Sequence, residues 1–414
     1  MDRSLNAKQP VHSERDMANT PTGPMEKPTI SDGVFHRRQG KNRPTRRQRS
    51  ASLSVLYATL PSMLTPAESP ATKPRTIRYY GGKAKLADFI INGMKEFGLK
   101  QGMTVLDAFT GTSVVAQELK NRGFHTFAND HLYFSYALAD AHLAFNQVPV
   151  FGRLKLSVNV FDFLNSLPPK KGFVTKNYSP HGECKRMYLS VINASKVDAI
   201  RDQIQEWLKA DRISNSEFNY LIASLVYAIN LVSNITGTYG AYLKFWEGRS
   251  AKDLILNPIE VSASKFKNQA IFGDVLEAVS RQHYDFIYLD PPYNSRSYFS
   301  NYFFLEMVAK GWYDTIPIPS GVTGIPKNLE VRSDYSSRKE VSGAFQRLIS
   351  KCDAKFIALS YNNEGLLSQD KLLEILNDAG EVTVLTQEHK RYRSINQDGS
   401  NSMTQELLFV VRKK

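Results

Sequence analysis

The stretch that decides the fold is an apolar run that ends in an acidic turn, Tyr284-Asp285-Phe286-Ile287-Tyr288-Leu289-Asp290-Pro291-Pro292-Tyr293. The run before the turn is typical of a buried strand. Two successive prolines cannot continue a strand ladder, so the strand must end and the chain must turn. The turn is therefore expected at the carboxyl end of a strand, where open α/β sheets bind their ligands.

This turn combines two hydrogen-bond acceptors with an aromatic ring. The Asp290 carboxylate and the Pro291 carbonyl both accept hydrogen bonds, and an aromatic amino group carries two N–H donors. The Tyr293 ring is suited to stack on the base that bears such an amine. Taken alone, the four residues are equally consistent with a plain strand-ending turn, so the rest of the chain has to decide.

Composition narrows the class of protein. A chain of 414 residues has room for two or three domains, and 42% apolar residues are enough for a core. No apolar run reaches the roughly 18 residues of a membrane span, and the N-terminus lacks the apolar segment of a secretory signal. The two cysteines, Cys184 and Cys352, have no zinc-type spacing, which favours the absence of a metal site and a cytoplasmic location. The net charge of +13 favours a polyanionic partner, although such a surplus can also be a solubilising surface.

Residues 1–75 differ from the rest of the chain. They are rich in Pro, Ser, Thr and Arg, and carry 13 Lys or Arg against 6 Asp or Glu. The segment is predicted to be a disordered basic arm suited to nonspecific phosphate contact. The alternatives are a dispensable tail, a start site assigned too far upstream, with Met25 and Met63 as other candidates, or an organelle transit peptide, which the scattered acids disfavour.

An α/β pattern begins near residue 76. Two glycines before Lys83 allow close backbone approach to a charged ligand. A short strand then runs into the small-residue turn 107–113, and a helix closes at Gly123. The next strand ends at Asp130, about 20 residues past the turn, where a doubly wound sheet places the acid that holds ribose hydroxyls. Asp130 is equally suited to cap the following helix.

Residues 150–270 interrupt this pattern and are predicted to form an inserted, mainly helical target-recognition region. Basic and aromatic residues alternate between Lys176 and Tyr188, and the basic ones include Lys185 and Arg186. This pattern is suited to binding nucleic acid. The α/β pattern returns near 271, and Asp274 is expected at another strand end facing the same cleft. Residues 313–340 are predicted to be a long loop.

Several motifs, in this order, resemble one known family. They are Arg78-Tyr79-Tyr80-Gly81-Gly82-Lys83, Asp107-Ala108-Phe109-Thr110-Gly111-Thr112, Asn129-Asp130 and Asp290-Pro291-Pro292-Tyr293. The chain resembles the Dam-like adenine-specific DNA methyltransferases, which carry the Asp-Pro-Pro-Tyr motif, and within them the FokI-type modification methylases. The resemblance spans roughly residues 77–412.

The resemblance implies a Rossmann-like α/β sheet with helices on both faces, formed by residues 76–149 and 271–414, and S-adenosylmethionine as cofactor. By position it implies cofactor contacts from Tyr79, Lys83, Phe109, Gly111, Asp130, Asp274 and Asp290, and catalysis by Asp290, Pro291 and Tyr293. One departure concerns the loop, which in the family reads Phe-x-Gly-x-Gly. Thr112 replaces the second glycine here, and a threonine is tolerated if its φ is negative.

The expected reaction is methyl transfer to the amine of a flipped-out adenine in duplex DNA. The predicted DNA contacts are Lys176, Lys185, Arg186, Arg296, Arg391 and Arg393. The resemblance also makes a cognate restriction endonuclease plausible, and a monomer is expected. The alternatives are transfer to a cytosine amine, an RNA adenine or a glutamine side chain, or a DNA-binding relative without activity. Intact Asp130, Asp274 and Asp290 speak against the last of these.

Overall fold

A computed structural model of the protein describes residues 56–58, 73–390 and 403–414. Most of the predicted basic arm and the two arginines Arg391 and Arg393 lie outside the described residues.

The described residues form ten strands and eleven α-helices. The strands are β1 (Leu56–Ala58), β2 (Thr104–Asp107), β3 (His125–Asp130), β4 (Gln269–Phe272), β5 (Tyr284–Leu289), β6 (Pro319–Ser320), β7 (Ile325–Pro326), β8 (Ala354–Asn362), β9 (Gly380–Lys390) and β10 (Met403–Lys413). The helices are α1 (Ala87–Glu96), α2 (Val114–Asn121), α3 (Tyr133–Leu143), α4 (Val160–Ser166), α5 (Phe173–Tyr178), α6 (Val191–Lys209), α7 (Asn215–Val232), α8 (Val275–Ala278), α9 (Tyr298–Lys310), α10 (Val341–Lys351) and α11 (Gln369–Ala379).

Eight strands form the main sheet in the order β1-β9-β10-β8-β5-β2-β3-β4. Strands β4, β3, β2, β5 and β8 are parallel, and β10 runs antiparallel between β8 and β9. The chain proceeds outward from β2 to β3 and β4, then returns to β5 on the other side of β2. This reversal opens a crevice at the carboxyl ends of β2 and β5, where doubly wound sheets bind ligands.

Strand β5 shows why the sheet is covered on both faces. Phe286 and Tyr288 point into one core, which they share with α1 and α2. Ile287 and Leu289 point into the opposite core, which contains residues of α10 and α11. Because successive side chains in a strand alternate between faces, an all-apolar strand requires helices on both sides. The predicted α/β fold is confirmed.

Helices α4 to α7 lie within residues 150–270, and no described strand lies there before β4 begins at Gln269. They share one core with α3 and α9, since Phe134 and Phe303 pack with Leu221 and Ile229 of α7. The division into 76–149, 150–270 and 271–414 stays a prediction.

The predicted loop at 313–340 contains the two-residue strands β6 and β7, and helix α10 directly follows it. The sequence prediction missed α10, although its apolar residues repeat at helical spacing. Those residues are Val341, Ala344, Phe345, Leu348 and Ile349, all buried. No helix in the described part of the chain is long and apolar enough to cross a membrane.

Candidate active site

A cavity of about 780 Å³ opens at the carboxyl ends of the central strands. Seven residues that the sequence singled out line it, namely Tyr79, Lys83, Phe109, Gly111, Asp130, Asp274 and Asp290. They come from five separate parts of the chain, and the crevice between β2 and β5 brings them together. Residues 330–337, from the predicted loop, form a further part of the cavity wall.

At the end of β5, the Asp290 carboxylate is held by the buried Lys83. The Lys83 Nζ lies 3.0 Å from Oδ1 of Asp290 and 2.9 Å from Oε1 of Glu406, a residue of β10 that the sequence prediction missed. The exposed fraction of the three side chains is 7% for Lys83, 16% for Asp290 and 3% for Glu406. One ammonium group therefore bridges a half-buried carboxylate, Asp290, and a buried one, Glu406, at the edge of the cavity.

The charges of this cluster set the protonation of its members. Burial raises the pKa of Asp290 to about 6; Lys83 lowers it and Glu406 raises it. Burial alone would lower the pKa of Lys83, but Asp290 and Glu406 outweigh this and raise it well above its usual value. Lys83 is thus a permanent cation, and Asp290 is ionised above about pH 6.

The other two residues of the turn lie next to Asp290. Pro291 is buried, and no hydrogen bond from residues 73–390 or 403–414 reaches its carbonyl oxygen. The Tyr293 ring packs edge-on against Tyr361, with 6.3 Å between ring centroids. Its hydroxyl would lie 3.1 Å from a Cβ placed on Gly81, whose φ is +75°. Glycine is therefore required at position 81 both by its backbone and by the neighbouring tyrosine.

Asp130 holds the loop after β2. Its Oδ2 accepts a hydrogen bond from the Gly111 amide at 2.9 Å, and its Oδ1 accepts one from the Leu132 amide at 2.9 Å. Burial raises the pKa of Asp130, and His131 and the backbone amides offset only part of this effect. Asp130 therefore fixes the Gly111 loop and the backbone of Leu132, which is the N-cap residue of α3, but it does not cap the helix itself. Its role toward ribose hydroxyls stays a prediction.

Gly111 has a φ of +52°, and a Cβ there would lie 3.2 Å from the Tyr79 ring. Tyr79 itself stacks on Tyr302, with 4.4 Å between ring centroids. Thr112 is not among the described residues with positive φ; its neighbour Ser113 takes that conformation, with a φ of 59°. The threonine that departs from the family pattern is thus accommodated, as the sequence reasoning required.

Asp274 and Phe109 complete the wall on the other side. Asp274 caps α8 by accepting a hydrogen bond from the Leu276 amide at 2.7 Å, and it is exposed to the cavity. The Phe109 ring meets the Tyr335 ring edge-on at 5.2 Å. Tyr335 belongs to the wall segment 330–337, which the sequence prediction did not connect with the cavity.

Two buried polar atoms in the cavity wall lack a hydrogen-bond partner within the described residues. They are Oδ1 of Asp107 and Oδ1 of Asn129. The other Asp107 oxygen accepts from the Thr110 hydroxyl at 2.9 Å, and burial raises the pKa of Asp107 to about 7. Since buried acceptors without partners are rare, these atoms indicate a ligand with N–H or O–H donors at this wall.

The predicted DNA contacts separate into three groups. Lys176, Lys185 and Arg296 are exposed, and Arg296 lies over the Tyr80 ring with its Cζ 5.2 Å from the centroid. Arg391 and Arg393 lie outside the described residues. Arg186 needs correction, because its side chain is buried and the structure gives it another task.

The Arg186 guanidinium donates to the carbonyl oxygens of Val322, Asn177 and Gly321 at 3.0, 2.9 and 2.9 Å. It therefore fastens the 313–340 loop to the helical insert. The aromatic residues that alternate with the bases, Tyr178 and Tyr188, are fully buried in the core. The alternating pattern thus combines surface lysines with core tyrosines and a structural arginine.

The crevice of this α/β sheet contains the Asp290–Lys83 pair beside Pro-Pro-Tyr and the Gly111 loop that Asp130 holds. Together these features are typical of an enzyme that binds a nucleotide cofactor. The family model of the D12 class N6 adenine-specific DNA methyltransferases matches residues 79–375. The chain belongs to this family.

Individual relatives agree with the family model. The chain is similar to the type II methyltransferase M.FokI of Planomicrobium okeanokoites (34% identity, 81% of this chain and 53% of the relative). It is also similar to the modification methylase StsI of Streptococcus sanguinis (36% identity, 82% of this chain and 52% of the relative). The type II methyltransferase M.NlaIII of Neisseria lactamica is 31% identical over 81% of this chain and 99% of its own length. The chain thus spans about half the length of the first two relatives.

The cofactor of the family is S-adenosylmethionine, and the cavity fits it. The unpartnered oxygens of Asp107 and Asn129 match a ligand rich in amino and hydroxyl donors. A side chain at position 111 would close the passage beside Tyr79, so the cradle depends on glycine. Asp130 and Asp274 both line the cavity, and their roles toward the cofactor stay predictions.

Proposed function

We propose that the chain transfers a methyl group from S-adenosylmethionine to the exocyclic amine, N6, of an adenine flipped out of duplex DNA, at specific sites. One observation carries the proposal: the Asp290 carboxylate, half-buried at the end of β5 and followed in the chain by Pro291, lines the cofactor-sized cavity. Two acceptors on one turn match the two N–H donors of an aromatic amine.

The protein has to make a poor nucleophile reactive. The lone pair of the adenine amine is delocalised into the ring. Hydrogen bonds from the two N–H groups to Asp290 and to the Pro291 carbonyl draw the nitrogen toward tetrahedral geometry and direct its lone pair at the methyl group. When bound, the cofactor supplies that methyl group in activated form on a sulfonium. Positioning and fixed charge then provide most of the rate enhancement.

The target amine is paired inside a duplex, so the adenine must leave the stack at a cost of a few kcal/mol. Stacking on Tyr293 offsets part of this cost, since base–aromatic stacking contributes about 1–3 kcal/mol. Lys176, Lys185 and Arg296 are proposed phosphate or base contacts because they are exposed and basic. Arg391 and Arg393 stay predicted contacts.

The names of the relatives, type II methyltransferases and modification methylases, support a role in restriction and modification. We therefore also propose that a cognate restriction endonuclease accompanies the protein, and that the methyltransferase acts as a monomer in the cytoplasm.

The proposal is tested with purified protein, S-adenosylmethionine carrying a tritiated methyl group, and plasmid DNA, RNA or protein as acceptors. We expect label in duplex DNA, recovered after digestion as N6-methyladenine. Label recovered as N4-methylcytosine, or only in RNA or protein, would favour the alternative amino methyltransferases. Single-molecule sequencing of DNA from an expressing host then gives the sequence context of the modified base.

A further inference from the structure

We propose that Glu406 is a positioning residue of the transfer reaction, which divides the Lys83 ammonium between two carboxylates so that Asp290 stays a strong acceptor for the target amine. This inference rests on the proposed function and extends it to a strand that carries none of the family motifs named above. Glu406 does not touch the reacting atoms; it acts through Lys83.

The backbone holds Glu406 firmly in place. On β10 it pairs with Asn362 of β8 on one side and with Gln387 of β9 on the other. An interior strand position of this kind leaves the side chain little freedom. The Lys83 backbone is anchored as well, since its carbonyl accepts a hydrogen bond from the Leu86 amide at 2.8 Å. The contacts from Lys83 to the two carboxylates are therefore made between backbone positions that are both fixed.

The charges of Lys83, Asp290 and Glu406 determine how strongly Asp290 accepts a hydrogen bond. A lysine paired with Asp290 alone would neutralise the carboxylate and weaken it as a hydrogen-bond acceptor for the amine. With Glu406 on its other side, 2.9 Å away, the ammonium is shared between two carboxylates and neutralises Asp290 less completely. A negative acceptor binds an N–H donor more strongly than a neutral pair does, and more so in a buried site.

The groups that act on Asp290 define how the site titrates. Besides Lys83 and Glu406, the ionisable groups coupled to Asp290 are Asp107, Tyr79, Tyr288, Tyr293 and Tyr298. Burial raises the pKa of each tyrosine, so the tyrosines stay neutral near neutral pH. Asp107 titrates with a pKa of about 7 and is present in every variant, so the shift between variants reports on Asp290.

The test is the pH dependence of methyl transfer to duplex DNA by Glu406→Gln in the full-length chain. The Glu406 carboxylate raises the pKa of Asp290, so its removal should move the acidic limb of the kcat/KM profile to lower pH. On the alkaline side of that limb, we expect kcat to fall on the order of tenfold, because Lys83 then neutralises Asp290. A purely structural role would lower the rate at every pH without moving the limb.

A double-mutant cycle with Lys83→Met shows whether Glu406 acts through Lys83. The Glu406→Gln substitution should cause no further loss in the Lys83→Met background. Losses that multiply, or an acidic limb that stays in place, would overturn the inference. If Glu406→Gln alone does not fold, the double variant, which removes both charges, is compared with Lys83→Met, and a slower double variant contradicts the inference.

Glu388→Gln is the matched control. Glu388 is exposed on β9 and pairs with Gln405, the neighbour of Glu406, so the same charge is removed one position away. It should leave both the rate and the pH profile unchanged. Wild-type transfer separates the two proposals: its absence overturns both, whereas normal transfer with an unaltered Glu406→Gln profile overturns only the role of Glu406.

Discussion

Asp130 and Asp290 lie at the carboxyl ends of two parallel strands of one sheet, but the structure holds them in different ways. Asp130 accepts hydrogen bonds from two backbone amides, one on each oxygen. Asp290 pairs through a single oxygen with the ammonium of Lys83, which Glu406 shares. Backbone amides are fixed donors, whereas a shared lysine is a partner whose charge can be divided.

The difference indicates a division of labour between the two carboxylates. Asp130 is committed to the shape of the Gly111 loop, so its loss should damage cofactor binding. Asp290 keeps one oxygen for a substrate donor, so its loss should damage the chemical step and spare DNA binding. Kinetic and binding measurements on matched variants can separate these two roles.

The largest effect is expected for Asp290→Ala. Removing the acceptor should lower the rate of methyl transfer by about 10²–10³-fold or more. DNA retention in a gel assay should persist, because Lys83 and Glu406 still form a buried ion pair. Asp285→Asn is the control: it lies on the same strand at the opposite end, where it accepts from the Thr104 amide at 2.8 Å. Undiminished transfer by Asp290→Ala would refute the mechanism.

Asp130→Asn should act on binding instead. An asparagine has one acceptor oxygen where the native residue has two, so either the Gly111 or the Leu132 amide loses its partner. A hydrogen bond to a charged group contributes about 1.5–3 kcal/mol, which corresponds to a loss in cofactor affinity of roughly ten- to a hundredfold. Calorimetric titration with S-adenosylmethionine measures it. Asp140→Asn, which removes a buried acid outside the cavity wall, should leave the affinity unchanged, and equal affinities for all three proteins would contradict the division of labour.

Gly111→Ala should give a smaller loss. A left-handed φ costs a non-glycine residue about 1–2 kcal/mol, and the added Cβ also presses on Tyr79. We expect a drop in thermal stability and a loss in cofactor affinity of about tenfold. Gly98→Ala is a close control, since Gly98 has a φ of +96° but no atom within 4 Å of the added Cβ. It should lose similar stability and bind the cofactor normally; weakened binding there would trace the effect to backbone strain alone.

The sequence predicts those parts of the site that are encoded by short motifs of consecutive residues. A strand that ends in Pro-Pro, a glycine turn and an acid at a strand end each specify a local structure, and the crossover rules of parallel sheets bring them to one edge. Tyr284–Leu289 is observed with the bounds predicted for it. Nothing local marks Glu406, because its partner Lys83 lies at the other end of the described chain.

The helical insert shows the opposite situation. Bases and tyrosines between Lys176 and Tyr188 have the composition of a nucleic-acid surface, but Arg186 and Tyr188 are buried. The Tyr188 hydroxyl lies 3.0 and 2.9 Å from the carbonyl oxygens of Tyr239 and Thr323 and shares its one proton between them. Tyr188 therefore holds two segments that are distant in sequence. Composition reports the residue types that a region contains, whereas burial depends on tertiary packing.

The pH dependence of the wild-type enzyme provides the smallest and most graded test. Burial raises the pKa of Asp290 to about 6, and only the carboxylate accepts from the target amine. The value of kcat/KM, which reports on the free enzyme, should therefore be constant above that pKa and fall about tenfold for each pH unit below it. Asp107 also titrates, with a pKa of about 7, so Asp107→Asn serves as the control. If the fall in kcat/KM near pH 6 persists in Asp107→Asn, the titrating group is Asp290. If the fall disappears, the titrating group is Asp107, and the contrast between Asp130 and Asp290 is weakened.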